Sequence, residues 1–399
     1  MSFSLQLTDT LAGRHIYLRC GTFDRLSNKS PWQLPPNLGP PIPQQEPVDE
    51  ETCPGYHSAS FYPANPGGIL VKSFQLLAKI GWQNPEPRGR VILRTCLDGF
   101  EVTGPEGKHV CLVYEPMREP LWISQRRFVN DRLPLSIAKA YIYFLLVGLD
   151  YLHSECKVVH TDLKLGNVVM SFENDNIFTE SIKKQQPMHY KVDGKIGRAI
   201  YCGHNDFGTP DGREIKNMSP MIVDFGLGTR LDKPCTGTAT VGEQLGVYHI
   251  QPDHYRAPEV ILGCVPLNQL WNILGSKELF PRVHDTNGHY DAKALLAESK
   301  AISKYDWPRP ATNDIEKLCN NAQKQLYHPS IFWNSDFVQD EFLCSNQIPC
   351  RTLEDTTPFL EEKDHETFLS FARQMLTWLP EERKTARELM GHPFLKLGG

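Results

Sequence analysis

The chain has 399 residues, of which 40% are hydrophobic, so it is long and apolar enough to bury a sizeable core in one or two domains. Its net charge of −5 gives no sign of a nucleic-acid-binding surface, and its 11 scattered cysteines, without a C-x-x-C pair, argue against disulfide frameworks and zinc sites. The apolar run at residues 140–149 is too short to span a bilayer, so we expect no membrane segment. The scattered cysteines favour reduced thiols, so we expect an intracellular, cytoplasmic or nuclear, protein.

Residues 1–52 do not have the pattern of a packed domain. Proline is dense over residues 31–47, and the acidic run Asp49–Glu50–Glu51 follows it. Dense proline removes backbone hydrogen-bond donors and favours an extended polyproline II conformation. We therefore predict a disordered leader, with a docking segment for a proline-reading module as the alternative.

Three strands are predicted before residue 118. Residues 73–81, SFQLLAKIG, have the pattern of a strand that ends in a turn at Gly81. Residues 93–117 contain two apolar stretches on either side of a Gly-Pro-Glu-Gly sequence at residues 104–107. Glycine and proline in this arrangement predict a hairpin.

A long helix is predicted over residues 135–153. Ser136, just after Pro134, is predicted to be its N-cap. Apolar side chains recur there at three- and four-residue intervals, which places them on one helical face. They are Ile137, Ala140, Phe144, Val147 and Tyr151.

Residues 158–170, VVHTDLKLGNVVM, form a polar loop between two short apolar, β-branched runs. The apolar flanks should be buried and should hold the polar side chains in one place. Asp162 could accept or orient a hydroxyl proton, and Lys164 could neutralise phosphate charge. Asn167 could offer its amide oxygen to Mg²⁺. This spacing favours a phosphoryl-transfer site over an ordinary loop.

Two further motifs follow in the chain. An apolar strand at residues 221–223 ends in Asp224–Phe225–Gly226, and Arg256–Ala257–Pro258–Glu259 comes later. The polar stretch at residues 171–220 lies between the loop at 158–170 and the Asp224 motif. It is long enough to be an insert, and long loops of this kind are usually functional or disordered.

A second helix is predicted near the C-terminus, where Pro380 should stop it. Its apolar face consists of Phe368, Phe371, Ala372, Met375 and Leu379.

The order of these motifs resembles a eukaryotic serine/threonine protein kinase. The His-Thr-Asp form of the loop, the sequence QPDHYRAPEVILG at residues 251–263 and VHDTNGHYDAKALLAE at residues 283–298 are most similar to the SR-protein-specific kinase group. The resemblance covers residue 53 to the C-terminus. It implies an α+β, bilobal kinase fold, with a reduced N-terminal lobe at 53–118 and a mostly helical C-terminal lobe at 119–399.

The resemblance also implies roles for the residues of the loop and of the strand end. Asp162 would orient the substrate hydroxyl, and Lys164 would steady the transferred phosphoryl group of ATP. Asn167 and Asp224 would bind Mg²⁺. The lysine two residues after Asp162 is typical of serine/threonine rather than tyrosine specificity.

For the nucleotide base, the resemblance implies a site before residue 118. Tyr114 would be the gatekeeper, Glu115 to Met117 would be the hinge whose backbone binds adenine, and Gly81 would belong to the phosphate loop. The expected partner is a protein substrate, in this group an arginine/serine-rich splicing factor. The net negative charge of the chain would suit such a basic substrate. The expected oligomeric state is a monomer.

The chain also departs from the kinase pattern. The glycine-rich loop, the N-lobe lysine and its glutamate partner are not found, and Lys79 and Lys108 are the candidate substitutes for that lysine. Thr161 replaces the usual arginine, and Gln269 replaces a buried aspartate. A pseudokinase that acts as a scaffold or nucleotide-sensing module is therefore the alternative function. The loss of two coding segments is a third explanation.

Overall fold

The structure is a computed structural model. It describes residues 41–45, 88–104, 107–174, 176–184, 189–192, 199–201, 207–225, 228–230, 270–275, 277–285, 289–302, 345–376 and 383–396. The chain divides into two compact units. The first includes Arg94–Glu119 and Ser171–Met218, with residues 41–45, and the second includes Glu86–Leu93, Pro120–Met170 and Ser219–Gly399. The predicted domain boundaries stay predictions.

The described residues contain both helices and strands, as the predicted α+β class requires. The helices are α1 (Leu121–Gln125), α2 (Leu135–Ser154), α3 (Asn176–Lys184), α4 (Leu270–Gly275), α5 (Ala292–Ile302), α6 (Glu362–Arg373) and α7 (Ala386–Leu389). The strands are β1 (Asp98–Gly104), β2 (Gly107–Val113), β3 (Val158–Val159), β4 (Val168–Met170), β5 (Tyr190–Val192), β6 (Ala199–Tyr201), β7 (Pro220–Ile222) and β8 (Thr229–Arg230). They form four antiparallel pairs, β1 with β2, β3 with β8, β4 with β7 and β5 with β6.

The β1–β2 hairpin of the first unit confirms the strand prediction for this region. The two strands pair along their whole length, and Gly104 lies opposite Gly107 at the turn. Gly107 has a φ of +128°, which L side chains rarely adopt, so the turn requires glycine at this position. The glycines of the Gly-Pro-Glu-Gly sequence therefore lie where the sequence predicts the turn of the hairpin.

The segment predicted to be an insert has secondary structure of its own, namely α3 and the β5–β6 pair. The Phe172 ring packs against Phe178 and Phe207, with centroids 5.9 and 4.9 Å apart. A short part of the predicted leader lies beside β5, where the Ile42 N–H donates to the Tyr190 carbonyl at 2.7 Å. The insert therefore has an apolar cluster and a backbone partner.

A buried ion pair ties this insert to the segment after β2. The guanidinium of Arg118 makes a bidentate contact with the Glu173 carboxylate, through Nε at 2.7 Å and Nη2 at 2.8 Å. Nη1 of Arg118 donates to the Gly208 carbonyl at 3.0 Å. The side chains are 0% and 1% exposed, so this pair joins both ends of the insert inside the first unit.

Helix α2 is the central helix of the second unit, and the prediction of its existence and length is confirmed. Its buried residues include Ala138, Ile142, Leu145, Leu149 and Leu152. By length and composition the helix could cross a membrane, but 61% of its most apolar window is buried inside the protein. A core helix has this property.

Two details predicted for α2 are wrong. The N-cap is Pro134, without a side-chain hydrogen bond, and Ser136 lies inside the helix. Of the predicted apolar face, Ile137, Phe144 and Val147 are only half-buried. The helix is apolar around most of its circumference, so a three- and four-residue spacing fits more than one face.

The C-terminal helices of the second unit pack around a cluster of aromatic rings. Trp271 and Phe368 have centroids 5.2 Å apart, and Phe394 lies 5.1 Å from Phe368 and 5.4 Å from Phe371. These four side chains are among the largest that are fully buried. The predicted face of α6 is thereby confirmed for Phe368, Phe371 and Ala372.

The predicted end of this helix is wrong, and other predictions cannot be located. Helix α6 ends at Arg373, before Pro380, and Met375 is buried beyond the helix end. Leu379 and Pro380 lie outside the described residues, as do the strand at 73–81 and the motif at 256–259.

Gly89 allows a close approach of the backbone to α2, and a side chain there should destabilise the second unit. A Cβ at Gly89 would lie 2.3 Å from the Tyr151 Cβ and 2.4 Å from the Val147 carbonyl oxygen. We expect Gly89→Ala to lower the free energy of unfolding by about 1–3 kcal/mol in urea denaturation. Gly212→Ala is the control, because a Cβ at Gly212 has no heavy atom within 4 Å. Equal stability of the two variants would contradict this packing.

Candidate active site

The loop between β3 and β4 brings three predicted residues into direct contact. Oδ2 of Asp162 accepts from Lys164 Nζ at 2.9 Å and from Asn167 Nδ2 at 2.9 Å. Asn167 Nδ2 also donates to the backbone carbonyl of Asp162 at 2.8 Å. Two donors therefore hold one carboxylate oxygen in place, which leaves Oδ1 of Asp162 as the second acceptor.

The pairing of β4 with β7 brings Asp224 to this loop. Val168 lies opposite Ile222, and the Val223 N–H donates to the Asn167 carbonyl at 2.9 Å. Asp224 is the next residue, so strand register places it beside Asn167. Its φ is 62°, and Thr161 in the loop has a φ of 66°. Left-handed backbone at non-glycine residues is uncommon and clusters at functional sites.

His160 connects the loop to the strand end, and the sequence analysis gave it no role. Its Nε2 lies 2.8 Å from the Val223 carbonyl, which can only accept, so Nε2 carries the proton. Nδ1 then accepts from the Asp162 N–H at 3.3 Å. The ring also packs 5.1 Å from Phe225. A neutral imidazole therefore contacts Asp162 and the two residues that flank Asp224, Val223 and Phe225.

The oxygen atoms at this site fit a magnesium ion. Because the Asn167 nitrogen makes both bonds to Asp162, its amide oxygen is left as the atom that can bind a cation. Asp224 is exposed and supplies a carboxylate. Mg²⁺ usually takes one or two protein oxygens, with water and phosphate at the other positions. Within the described ranges, no group of three or more His, Cys, Asp or Glu side chains is placed to hold a metal ion.

The predicted hinge residues belong to the first unit. The Glu115 carbonyl accepts from Arg94 Nη2 at 2.7 Å, and the Arg94 guanidinium lies 4.8 Å from the centroid of the Tyr114 ring. Glu115 is exposed, whereas Tyr114 and Met117 are half-buried. This contact of Arg94 was not predicted, because nothing in the local sequence pattern indicates it.

Several predicted site residues lie outside the part of the chain that the structure describes. They are Gly81, Lys79 and Gln269. Lys108 is in β2, and it stays a candidate only. The kinase resemblance also implies an ion pair between Arg383 and Glu259, and Glu259 lies outside these ranges. Burial lowers the pKa of Arg383 to about 10.

Acidification should destabilise the protein through His160. Burial lowers the pKa of His160 below its ordinary value of 6.5, although the Val223 carbonyl, Asp162 and Asp224 oppose the shift. As pH falls below about 6.5, the unfolded chain takes up a proton that the folded chain resists. The stability present above that pH is therefore lost as pH falls towards the folded pKa.

Thermal unfolding between pH 7.5 and 5.5 tests this expectation. The melting temperature should fall with pH, and His160→Gln should show a shallower fall. Burial also lowers the pKa of His153 and His392, so part of the slope should remain in the variant. An identical slope in both proteins would remove His160 from the explanation.

Comparisons with known sequences identify relatives over most of the chain. No profile of a known protein family matches it. A serine/threonine protein kinase of Aspergillus fumigatus is 28% identical over 403 residues, covering 87% of this chain and 91% of that protein. The serine/threonine-protein kinase SRPK of Physarum polycephalum is 32% identical over 341 residues, covering 80% of this chain and 74% of that protein. SRSF protein kinase 3 of Homo sapiens is 33% identical over 102 residues, covering 25% and 18%.

A solved structure agrees with these sequence relatives. The crystal structure of a kinase domain superposes with a TM-score of 0.51 at 19% identity, covering 80% of this chain and 81% of that one. At this identity the likeness concerns the fold alone, and it confirms the predicted kinase-like α+β fold. The Physarum relative is similar enough, over enough of its length, to establish the family. The chain belongs to the serine/threonine protein kinases, and to their SRPK-like group.

Proposed function

We propose that the chain is an active protein kinase that transfers the γ-phosphoryl group of ATP to serine or threonine hydroxyls of a protein substrate. One observation carries this proposal: Asp162 is held by Lys164 and Asn167, and the β4–β7 register brings Asp224 to the same place. Convergence of these groups from two separate chain segments is what phosphoryl transfer requires.

In this proposal Asp162 acts on the substrate hydroxyl. Its Oδ2 is engaged by two donors, so Oδ1 accepts the hydroxyl hydrogen and orients the oxygen towards the γ-phosphorus. A bond forms between this oxygen and phosphorus while the bond to the β–γ bridging oxygen breaks. The proton leaves the hydroxyl through Asp162, and ADP is the leaving group.

Lys164 and the cation-binding oxygens supply the electrostatic part. The side chain of Lys164 is 43% exposed, so its ammonium can contact a phosphoryl oxygen while it stays beside Asp162. Asn167 Oδ1 and the Asp224 carboxylate would hold Mg²⁺, which when bound neutralises charge on the phosphates. The backbone at Glu115 to Met117 would seat the base.

The proposed substrate is an arginine/serine-rich protein such as a splicing factor. The relatives include a kinase named for SRSF proteins, and the net charge of −5 suits a basic peptide. We propose that this substrate is met in the cytoplasm or the nucleus, by a monomer that makes no direct contact with nucleic acid.

A pseudokinase that serves as a scaffold or a nucleotide sensor is the second candidate. The sequence lacks the glycine-rich loop and the lysine–glutamate pair that clamp ATP phosphates in kinases. Loss of one electrostatic clamp typically lowers the rate on the order of 10²- to 10³-fold. A nucleotide sensor would bind nucleotide without transferring phosphate, and a scaffold would do neither.

Two measurements on the full chain separate the candidates. Thermal stabilisation by Mg-ATP reports binding, and phosphate incorporation into an arginine/serine-rich peptide reports transfer. A peptide in which alanine replaces every serine is the control for the acceptor. Serine-dependent incorporation is the result we expect, whereas stabilisation without incorporation would support the sensor and contradict the enzyme.

A further inference from the structure

Arg94 is hydrogen-bonded to the backbone carbonyl of Glu115, the hinge carbonyl that would face the nucleotide base. Its Nη2 donates to the Glu115 backbone oxygen at 2.7 Å, and its guanidinium carbon lies 4.8 Å from the Tyr114 ring centroid. The hydrogen bond fixes the edge of the guanidinium, and the aromatic ring fixes its face. Both contacts lie within the first unit, so they belong to one compact body.

The guanidinium has donor capacity that its present contacts do not use. In the part of the chain that the structure describes, Nε of Arg94 is buried and has no hydrogen-bond partner. Arginine carries five N–H donors and no acceptor. A buried donor without a partner is unfavourable, so groups that contact the guanidinium should be acceptors rather than further donors.

Purine bases differ at the atom that would meet this group. Adenine has an amino donor at position 6, whereas guanine and hypoxanthine have an oxygen acceptor there, next to the N7 acceptor that all three share. An amino group that approached the Glu115 carbonyl would meet the hydrogens of Arg94, which repel it. A 6-oxo group would accept from them, as guanine does from arginine in nucleic-acid complexes.

We propose that Arg94 is the base-specificity residue of the nucleotide site, and that it favours 6-oxopurine nucleotides, so that GTP is accepted alongside or ahead of ATP. This inference rests on the proposed function, because the base site is the hinge of that function. Arg94 reads the base and takes no part in the transfer step.

The test is the affinity of the full chain for Mg-ATP, Mg-GTP and Mg-ITP, measured by titration calorimetry on the wild type and Arg94→Met. ITP isolates position 6, since hypoxanthine has the 6-oxo group without the 2-amino group of guanine. We expect the ratio of ATP to ITP affinity to rise by about tenfold in Arg94→Met, and GTP to follow ITP. Arg94→Lys keeps a donor but loses the planar fork, so its ratio of ATP to ITP affinity should lie between those of the wild type and Arg94→Met.

Arg126→Met is the matched control, because Arg126 also stacks on an aromatic ring, 4.6 Å from the Trp122 centroid, in the second unit. It should leave the nucleotide ratio unchanged. An unchanged ratio in Arg94→Met would overturn the inference, as would an equal gain for all three nucleotides, which would mean simple obstruction. Absence of binding in every variant would overturn it as well.

The outcome for the proposed function is read separately, from phosphate incorporation into the arginine/serine-rich peptide. Transfer with an unchanged ratio would contradict the role of Arg94 and leave the kinase assignment intact. A changed ratio without transfer from any nucleotide would support the role of Arg94 and contradict the proposed phosphoryl-transfer activity.

Discussion

Arg118→Ala should lower the free energy of unfolding by about 3–5 kcal/mol, the loss typical of a buried ion pair from which one partner is removed. Glu173 is 1% exposed, so without Arg118 its charge would stay buried with both oxygens deprived of their donors. The Phe207 and Gly208 carbonyls would lose a donor at the same time. Urea denaturation of the purified variant measures the effect.

A double-mutant cycle shows whether the loss comes from the uncompensated charge. Arg118→Met combined with Glu173→Leu removes both charges and keeps most of the volume, so it should recover at least half of the stability lost in Arg118→Met. Arg118→Lys should still be destabilised, because an ammonium cannot make the bidentate contact. Single variants within 1 kcal/mol of the wild type would contradict the described burial of this pair.

Asp162→Asn should lower the turnover number for peptide phosphorylation by about 10²- to 10⁴-fold. Asparagine has the same shape, and its amide oxygen can still accept from Lys164 Nζ and Asn167 Nδ2. Its amide nitrogen then lies at the Oδ1 position, where it cannot accept the hydroxyl proton. The stability of the variant should change much less than its rate. Initial rates at saturating nucleotide and peptide measure the effect.

Asp150→Asn is the control for this substitution. Asp150 is a carboxylate on α2 that pairs with Arg387 at 2.9 Å on an exposed surface, outside the loop that contains Asp162. Its replacement should leave turnover unchanged, because exposed pairs contribute little. Equal rates for the Asp162→Asn variant and the wild type would remove Asp162 from the chemistry.

The polar loop could be predicted from the sequence because its geometry is local. Asp162, Lys164 and Asn167 lie within six residues, and the β-branched runs on either side form the strands that fix them. The helix at 135–153 could also be predicted from the sequence, since a long apolar periodicity predicts its existence. Its buried face could not be predicted, because apolar side chains surround most of the helix and do not mark one face as the buried one.

Contacts between distant residues could not be predicted in the same way. Arg118 and Glu173 are 55 positions apart, and neither belongs to a pattern that specifies the other. Arg94 follows a short 3-10 helix, Arg88–Ile92, and is 21 positions before Glu115, so no local pattern specifies the contact between them. Such pairs depend on how the chain folds back on itself.

Other features had a signal that the sequence analysis did not use. Thr385 and Glu388 form a reciprocal capping box at the start of α7, in which the Glu388 side chain accepts from the Thr385 N–H at 2.8 Å. The Thr-x-x-Glu spacing is visible in the sequence. His160 also had a signal, because a histidine just after a short apolar strand and two residues before Asp162 is well placed to bond a neighbouring strand.

The magnesium dependence of peptide phosphorylation, measured at fixed ATP for the wild type and Asp224→Asn, tests whether the Asp162 loop and the Asp224 strand end act on the same nucleotide-bound metal. If they do, the wild-type rate saturates with Mg²⁺, and Asp224→Asn needs a much higher Mg²⁺ concentration to reach saturation. Identical Mg²⁺ dependence in the two proteins, or transfer without Mg²⁺, would contradict a shared metal.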